Sequence, residues 1–364
     1  MRNRLYLFIL LIGLFQASSC KKDAQPSQRQ GQKPPVPTTL ENGLVSFSID
    51  GELLDAAIDT TANTITVVMP DSVNLKKLSA TLTLGKQVSA ALNTTAVNST
   101  IVFDFTSPVV LTVTSADKKR STSFQVIIQT ELQYFGLTGS ILGGKSLNKS
   151  YSFYFDQFDG STFQAINCGP TVTTMAIKWA NPDFNKKPVD ARNVLESKGG
   201  WWYTSDIQQY LDENDINYAI DSLNELTTVV KNSIDHNHLV ILCLDMYYVP
   251  QDMVPYQHIQ KFYEANTTGW GHFLLVKGYK QTDNSFYLEI YDPYSDKQAY
   301  AGIDNGQLKG KDRYYLSTDI AIATNNWWPY AIIVAQKGEK VSGPEHPRDE
   351  RAAKQKPIPV ASGR

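Results

Sequence analysis

Cysteine is scarce in this chain, with three in 364 residues at positions 20, 168 and 243. So few thiols exclude a disulfide-stapled framework, and the core has to rest on packing. A charge imbalance is missing too. The formal net charge is -2 and basic residues are scattered, so no electrostatic argument recommends nucleic acid as a partner. Histidine is also rare, with five in all. The turn Asp235-His-Asn-His offers two of them as metal ligands, but no third or fourth partner stands at recognisable spacing, so neither a metal nor a cofactor is expected. Finally, the apolar run Leu5 to Phe15 is too short to span a bilayer stably.

That run is informative in another way. Arg2 and Arg4 precede it, and Ala17, Ser18 and Ser19 follow, which is the layout of a secretory signal peptide over residues 1–20. Ala-Ser-Ser-Cys resembles a bacterial lipobox, which implies cleavage before Cys20 and a diacylglycerol on its thiol. Such a lipid would anchor an otherwise soluble protein to the outer membrane of a bacterial envelope, on its periplasmic or its outer face. Lys21-Lys-Asp behind the lipidated residue favours the outer face.

Residues 21–41 are polar and proline-rich, too poor in apolar side chains to pack, and read as a tether. Residues 42–131 then carry short β-type runs, among them Val45 to Ile49, Thr64 to Val68, Ala80 to Leu84, Ile101 to Phe105, Val109 to Thr114 and Phe124 to Ile128. Several alternate with period two, and turns such as Ala116-Asp-Lys-Lys separate them. Many strands and no helix predict an all-β sandwich. From 132 to 336 helical patterns come first and strands later. Val172, Met175, Ala176 and Trp179 fall on one helix face. Ser205 and Ser222 look like the caps of two more helices, and strands are expected at Leu239–Met246, His272–Tyr279, Phe286–Asp292 and Tyr330–Ala335. This is the order of an α+β domain with helices packed on an antiparallel sheet. Residues 337–364, with prolines among charges, read as a disordered tail.

Two thiols remain after Cys20, and their settings differ. Cys243 lies in Leu239-Val-Ile-Leu-Cys-Leu, a buried strand where cysteine acts as a small hydrophobe. Cys168 stands in Gln164-Ala-Ile-Asn-Cys-Gly-Pro-Thr, at the expected start of a helix. Unpaired amides and the positive end of the helix dipole favour thiolate over thiol at such a position. Gly169 would leave the approach to sulfur open, and the Cys168 amide could donate to an oxyanion. A thiolate nucleophile also needs a proton acceptor and later a donor. His272, in Gly271-His-Phe-Leu-Leu-Val-Lys-Gly-Tyr, begins a strand and is the histidine best placed to serve. Asp292 ends the next strand, and the turn Thr282-Asp-Asn-Ser would return it beside His272 to orient the ring. Trp201-Trp-Tyr, Tyr247-Tyr, Tyr256 and Phe262-Tyr could line a groove or pack in the core.

The β-rich segment resembles the immunoglobulin-like modules of Bacteroidetes-type lipoproteins through Met69-Pro-Asp, Phe103-Asp-Phe and Val113-Thr-Ser-Ala-Asp, which implies a spacer or docking role. Asn-Cys-Gly-Pro-Thr, Gly-His-Phe-Leu-Leu-Val-Lys-Gly-Tyr and Ile-Tyr-Asp-Pro-Tyr-Ser, in that order, resemble the double-glycine (bacteriocin-leader) peptidases of the papain-like superfamily. That resemblance covers about residues 150–336. It implies a papain-like domain with Cys168 as nucleophile, His272 as base and Asp292 as orienting group, acting on a peptide or protein substrate. It also implies a glutamine before the cysteine that completes the oxyanion hole. Gln164 is the candidate, closer to the cysteine than the family usually shows, with Gln157 and Asn167 as substitutes. Two other readings stay open. One is the same machinery acting on a non-protein amide, and the other is an inactive fold used by a surface binding lipoprotein.

Overall fold

In the computed structural model the described residues are 43–195, 200–254, 256–300 and 306–341. The expected signal peptide, the tether up to 41, Cys20 and the tail beyond 341 lie outside them.

The first half is built from β1 (Leu44–Ile49), β2 (Leu54–Asp59), β3 (Thr64–Met69), β4 (Leu78–Leu84), β5 (Ser89–Leu92), β6 (Thr95–Val97), β7 (Thr100–Phe103), β8 (Val109–Thr114) and β9 (Ser121–Thr130). One sheet has the order β1-β4-β7 and the other β2-β3-β9-β8-β5-β6. Alternation sets the inward face: Val109, Leu111 and Val113 are buried on β8, while Thr112 and Thr114 meet Ser123 and Ser121 across the strand pair. Phe47, Leu82, Leu111 and Phe124 share one apolar cluster to which both sheets contribute. The strands β2, β5 and β6 fall outside the expected runs. All three contain alanine, and β5 and β6 are short besides, so neither β propensity nor periodicity announces them.

Thr130 then caps α1 (Glu131–Phe135) with a reciprocal box to Gln133. There follow β10 (Ile141–Ser146), α2 (Cys168–Ala180), α3 (Pro188–Val194), α4 (Thr204–Asp212), β11 (Tyr218–Ser222), α5 (Leu226–Asp235), β12 (Leu239–Asp245), β13 (Gly271–Thr282), β14 (Phe286–Tyr291), β15 (Arg313–Leu316), α6 (Ser317–Asn325) and β16 (Tyr330–Val334). The sheet runs β11-β16-β12-β13-β14-β15, with every pair antiparallel. β13 is its longest member and its axis: β12 pairs with its first half, β10 with its second, and β14 runs along the other edge. A second apolar cluster, from Leu147 to Val334, joins α2, α4, α5 and α6 to this sheet. The chain is therefore a β-rich fold of two domains.

Two expected caps differ. The box at α4 forms around Tyr203, whose N–H donates to the Asp206 carboxylate, because Thr204 already begins the helix. Ser222 ends β11 rather than capping α5, whose own first residue is Leu226. A short polar strand there is masked by its cap-like sequence.

Lys277 lies on β13 with no solvent exposure. Its ammonium donates to Glu289, to Asn148 Oδ1 at 2.7 Å and to Ser146 Oγ at 3.3 Å, and Asp312 Oδ1 stands 2.9 Å away. One cation thus joins β10, β13, β14 and the segment before β15, and a buried charge is tolerated only when paired like this. Lys277→Ala should cost about 3–5 kcal/mol by urea unfolding, because two carboxylates are left facing each other. A loss under about 1 kcal/mol, the scale of an exposed pair, would show that the ammonium does not hold these strands together.

Candidate active site

α2 begins with Cys168, directly after the non-helical cap residue Asn167, and Pro170 suits its first turn. The Asn167 side chain does not cap the helix; its carbonyl accepts from the Thr171 amide at 3.0 Å and the Thr171 hydroxyl at 2.6 Å. The amides of the first turn therefore stay free of helical partners. The sequence pattern predicts one apolar face, yet almost the whole helix is buried, including Thr171, Thr173 and Thr174. It is a central helix, with β13, α3 and α4 packed around it. Gly169 serves this packing rather than an open approach to sulfur. A Cβ there would come within 2.7 Å of Trp202 Cβ and 3.5 Å of Phe273.

His272 sits second on β13, and the β13–β14 hairpin returns the chain so that Leu275 pairs with Tyr291. The next residue, Asp292, reaches back to the imidazole. His272 Nε2–H donates to Asp292 Oδ1 at 2.8 Å, both residues being buried. Cys168 also lies close enough to the ring to raise its basicity. Cys168, His272 and Asp292 thus form one continuous line from the helix N-terminus to the strand end. Cys168 and Cys243 are both free thiols, so no disulfide joins them. Burial first, and then the charge of Cys168, push the Cys243 thiol well above its ordinary value; it behaves as an inert core residue beside Trp327.

Burial alone would lower the basicity of His272, but the charge of Asp292, its hydrogen bond and the nearby Cys168 outweigh it, and the imidazole is pushed up to about 9. An imidazolium held by a buried carboxylate beside the Cys168 sulfur can hand over a proton without reorganising its surroundings.

Asp292 has more partners than the sequence suggests. Its Oδ1 also accepts the Tyr294 amide at 2.9 Å. Its Oδ2 accepts the phenols of Tyr263 at 2.9 Å and Tyr315 at 2.6 Å. Tyr263, expected in a groove or in the core, is thus a ligand of the carboxylate, and its ring lies 4.2 Å from that of Tyr294 and 5.4 Å from that of Trp270. Asp245 escapes the sequence reading altogether. At the end of β12 it accepts the amides of Gly269 at 2.7 Å and Trp270 at 3.0 Å, which fixes the entry into His272. Only its place after an apolar run could have signalled it. Of the remaining aromatic candidates, Trp202 and Phe262 are core, while Tyr247 and Tyr256 are exposed.

Gln164 lies in a short 3-10 turn, where its Oε1 accepts the Gly160 amide at 3.1 Å. Gln157 is buried and folds back as a substitute would need to. Its amide donates to Pro293 O at 2.8 Å, beside Asp292, and its side-chain NH2 donates to the carbonyls of Gln164 and Ala165. Asn167 Oδ1 accepts from Arg192 Nε at 2.6 Å. The structure therefore brings Cys168, His272 and Asp292 together and ties Gln157, rather than Gln164, to the Asp292 end. Among the described residues no group of three or more His, Cys, Asp and Glu could hold a metal. Asp235, of the histidine turn, is held by Lys231 and the Tyr279 phenol. No helix of the described residues is long and apolar enough to cross a membrane.

The family model described as "SGBP, N-terminal" matches residues 44–128, nearly all of β1–β9. No curated protein matches the chain. Among solved structures, a Bacillus anthracis protein provisionally named a C39-like peptidase is 14% identical, covering 56% of this chain and 100% of that one at a TM-score of 0.35. A protein provisionally named as secreted, from Bacteroides fragilis, is 14% identical over 24% of this chain and 90% of that one, at 0.18. A protein provisionally named a glycoside hydrolase, from Bacteroides thetaiotaomicron, is 11% identical over 80% and 88%, at 0.22.

The titration of His272 bears on stability. Its pKa rises from 6.5 to about 9 on folding, so the bound proton stabilises the fold fully below pH 6.5 and the benefit fades as pH climbs through about 9. A shift of this size corresponds to about 3 kcal/mol. His272→Gln should flatten the decline in unfolding free energy between pH 6.5 and pH 9; parallel pH profiles for variant and wild type would contradict the assignment.

Proposed function

We propose that this chain is a cell-envelope lipoprotein, anchored through Cys20, whose second domain is a papain-like cysteine peptidase. The observation that carries the reading is the buried group Cys168, His272 and Asp292, with the ring's Nε2 engaged by the carboxylate at 2.8 Å and Cys168 near enough to raise the basicity of the ring. Sulfur adds to the scissile carbonyl, the oxyanion is met by the Cys168 amide, and His272 delivers its proton to the leaving amine. Water then enters, gives a proton to His272 and releases the acyl group from sulfur. Asp292 holds the ring in the one tautomer that can do both.

The side-chain donor of the oxyanion hole comes from the turn ahead of α2, where Gln157 and Gln164 meet. Loss of the true donor lowers kcat about 10²–10³-fold, whereas loss of the other acts through the turn's stability. The first domain is an immunoglobulin-like module over 42–131 that lies along the chain between the lipid and the enzyme. Its proposed boundary at 131 falls one residue after the end of β9 at Thr130.

A second reading, a surface binding protein without turnover, is favoured by the SGBP match over residues 44–128. Alkylation separates the two. With residues 41–340 purified, iodoacetamide should label Cys168 faster than a free model thiol at neutral pH, and His272→Ala should abolish the advantage. A peptide library should be cut by wild type and left intact by Cys168→Ala. Ordinary thiol reactivity together with no cleavage would leave the binding reading standing alone.

A further inference from the structure

We infer that Tyr263 and Tyr315 are positioning residues of this site, whose two phenols lock the Asp292 carboxylate in rotation and so fix the orientation of His272. The inference rests on the cysteine-hydrolase reading and concerns how its base is held.

A carboxylate offers about four lone-pair sites, and at Asp292 four donors fill them. Tyr315 and Tyr263 reach Oδ2 at 2.6 and 2.9 Å, while His272 and the Tyr294 amide reach Oδ1 at 2.8 and 2.9 Å. Turning the carboxylate about its Cβ–Cγ bond would break charge-assisted hydrogen bonds on both oxygens at once, inside a site with no solvent exposure to replace them. Without the phenols, Oδ2 would be a buried, unpartnered anionic atom, and either oxygen could turn toward the imidazole.

The donors come from separate parts of the chain. Tyr263 belongs to the long connection between β12 and β13, Tyr315 to β15, and the Tyr294 amide to the turn after β14. Trp270 and Tyr294 pack against the Tyr263 ring and keep its hydroxyl aimed. Burial first, and the Asp292 charge second, hold both phenols well above the ordinary tyrosine value, so both remain O–H donors where the imidazole titrates. The titratable groups facing the imidazole are Cys168 from α2, Asp292, Tyr263 and Tyr294. Arg313 from β15 lies close enough to Asp292 to feel its charge. Phenol donors also draw carboxylate charge toward Oδ2, away from the imidazolium. Their removal should therefore tighten the grip on the His272 proton.

The test uses residues 41–340 and iodoacetamide as the probe, with the pH profile of Cys168 alkylation and the low-field proton resonance of His272 Nε2–H as readouts. Tyr315→Phe and Tyr263→Phe should each move the His272 step of the profile above about 9, shift the resonance, and cut peptide cleavage roughly tenfold, the scale of one hydrogen bond to a charged group. In an Asp292→Asn background the same replacements should add little, because their effect passes through the carboxylate. An unmoved profile and resonance in two folded phenylalanine variants overturns the inference. So does an undiminished effect in the asparagine background, and so does loss of fold in both variants, which would mark the phenols as purely structural. A Cys168 reactivity independent of His272 would instead sink the hydrolase reading itself.

Discussion

The hydrogen bond from His272 to Asp292 is the constraint around which the second domain is arranged. Both residues are buried, so the pair exists only because other groups compensate the loss of water. The β13–β14 hairpin sets the separation, since antiparallel pairing returns residue 292 to the level of the strand's start. The Tyr294 amide and the phenols of Tyr263 and Tyr315 then absorb the remaining charge of the carboxylate. Cys168 enters from another direction, on a helix whose burial on nearly every side leaves it no freedom to tilt away.

The same economy of position recurs farther along the strand. Lys277 stands in the middle of β13 and binds the oxygens of Glu289, Asp312, Asn148 and Ser146 in place of solvent. One strand therefore carries the buried His272 at its start and a buried cation at its centre. Gly271 is needed between loop and strand because a Cβ there would strike the Trp327 ring at 2.5 Å. Gly169 is needed on the facing helix for the same kind of reason. Gly169 thus lets the helix pack against Trp202 and Phe273, while Gly271 leaves room for the Trp327 ring at the start of the strand.

Much of this is legible in the chain itself. Period-two alternation marks β8 and β9, an apolar run marks β12, and the spacing Val172, Met175, Ala176, Trp179 marks α2, because each pattern reflects local burial. What escapes is short or poor in β-formers: β6 has only three residues, β2 and β5 have little β-branched content, and β10 contains Gly143 and Gly144. The cap-like Ser222 misleads because a serine at a strand end and a serine at a helix start look alike without the pairing partner, here Tyr330 on β16. Gln164 stands closer to Cys168 than the resemblance implies, and only the folded loop shows that Gln157 returns to Pro293.

The sequence by itself determined the residue types available for chemistry, a cysteine before a helix, a histidine opening a strand and an aspartate closing the next, since each is tied to a local element. Tertiary structure alone decided what surrounds them. Tyr263 and Tyr315 are separated from Asp292 by 29 and 23 residues, and Asp245 from Trp270 by 25. Hydrogen bonds across such gaps leave no periodic trace in a chain, because they follow from how strands and loops converge and not from the neighbours of either residue.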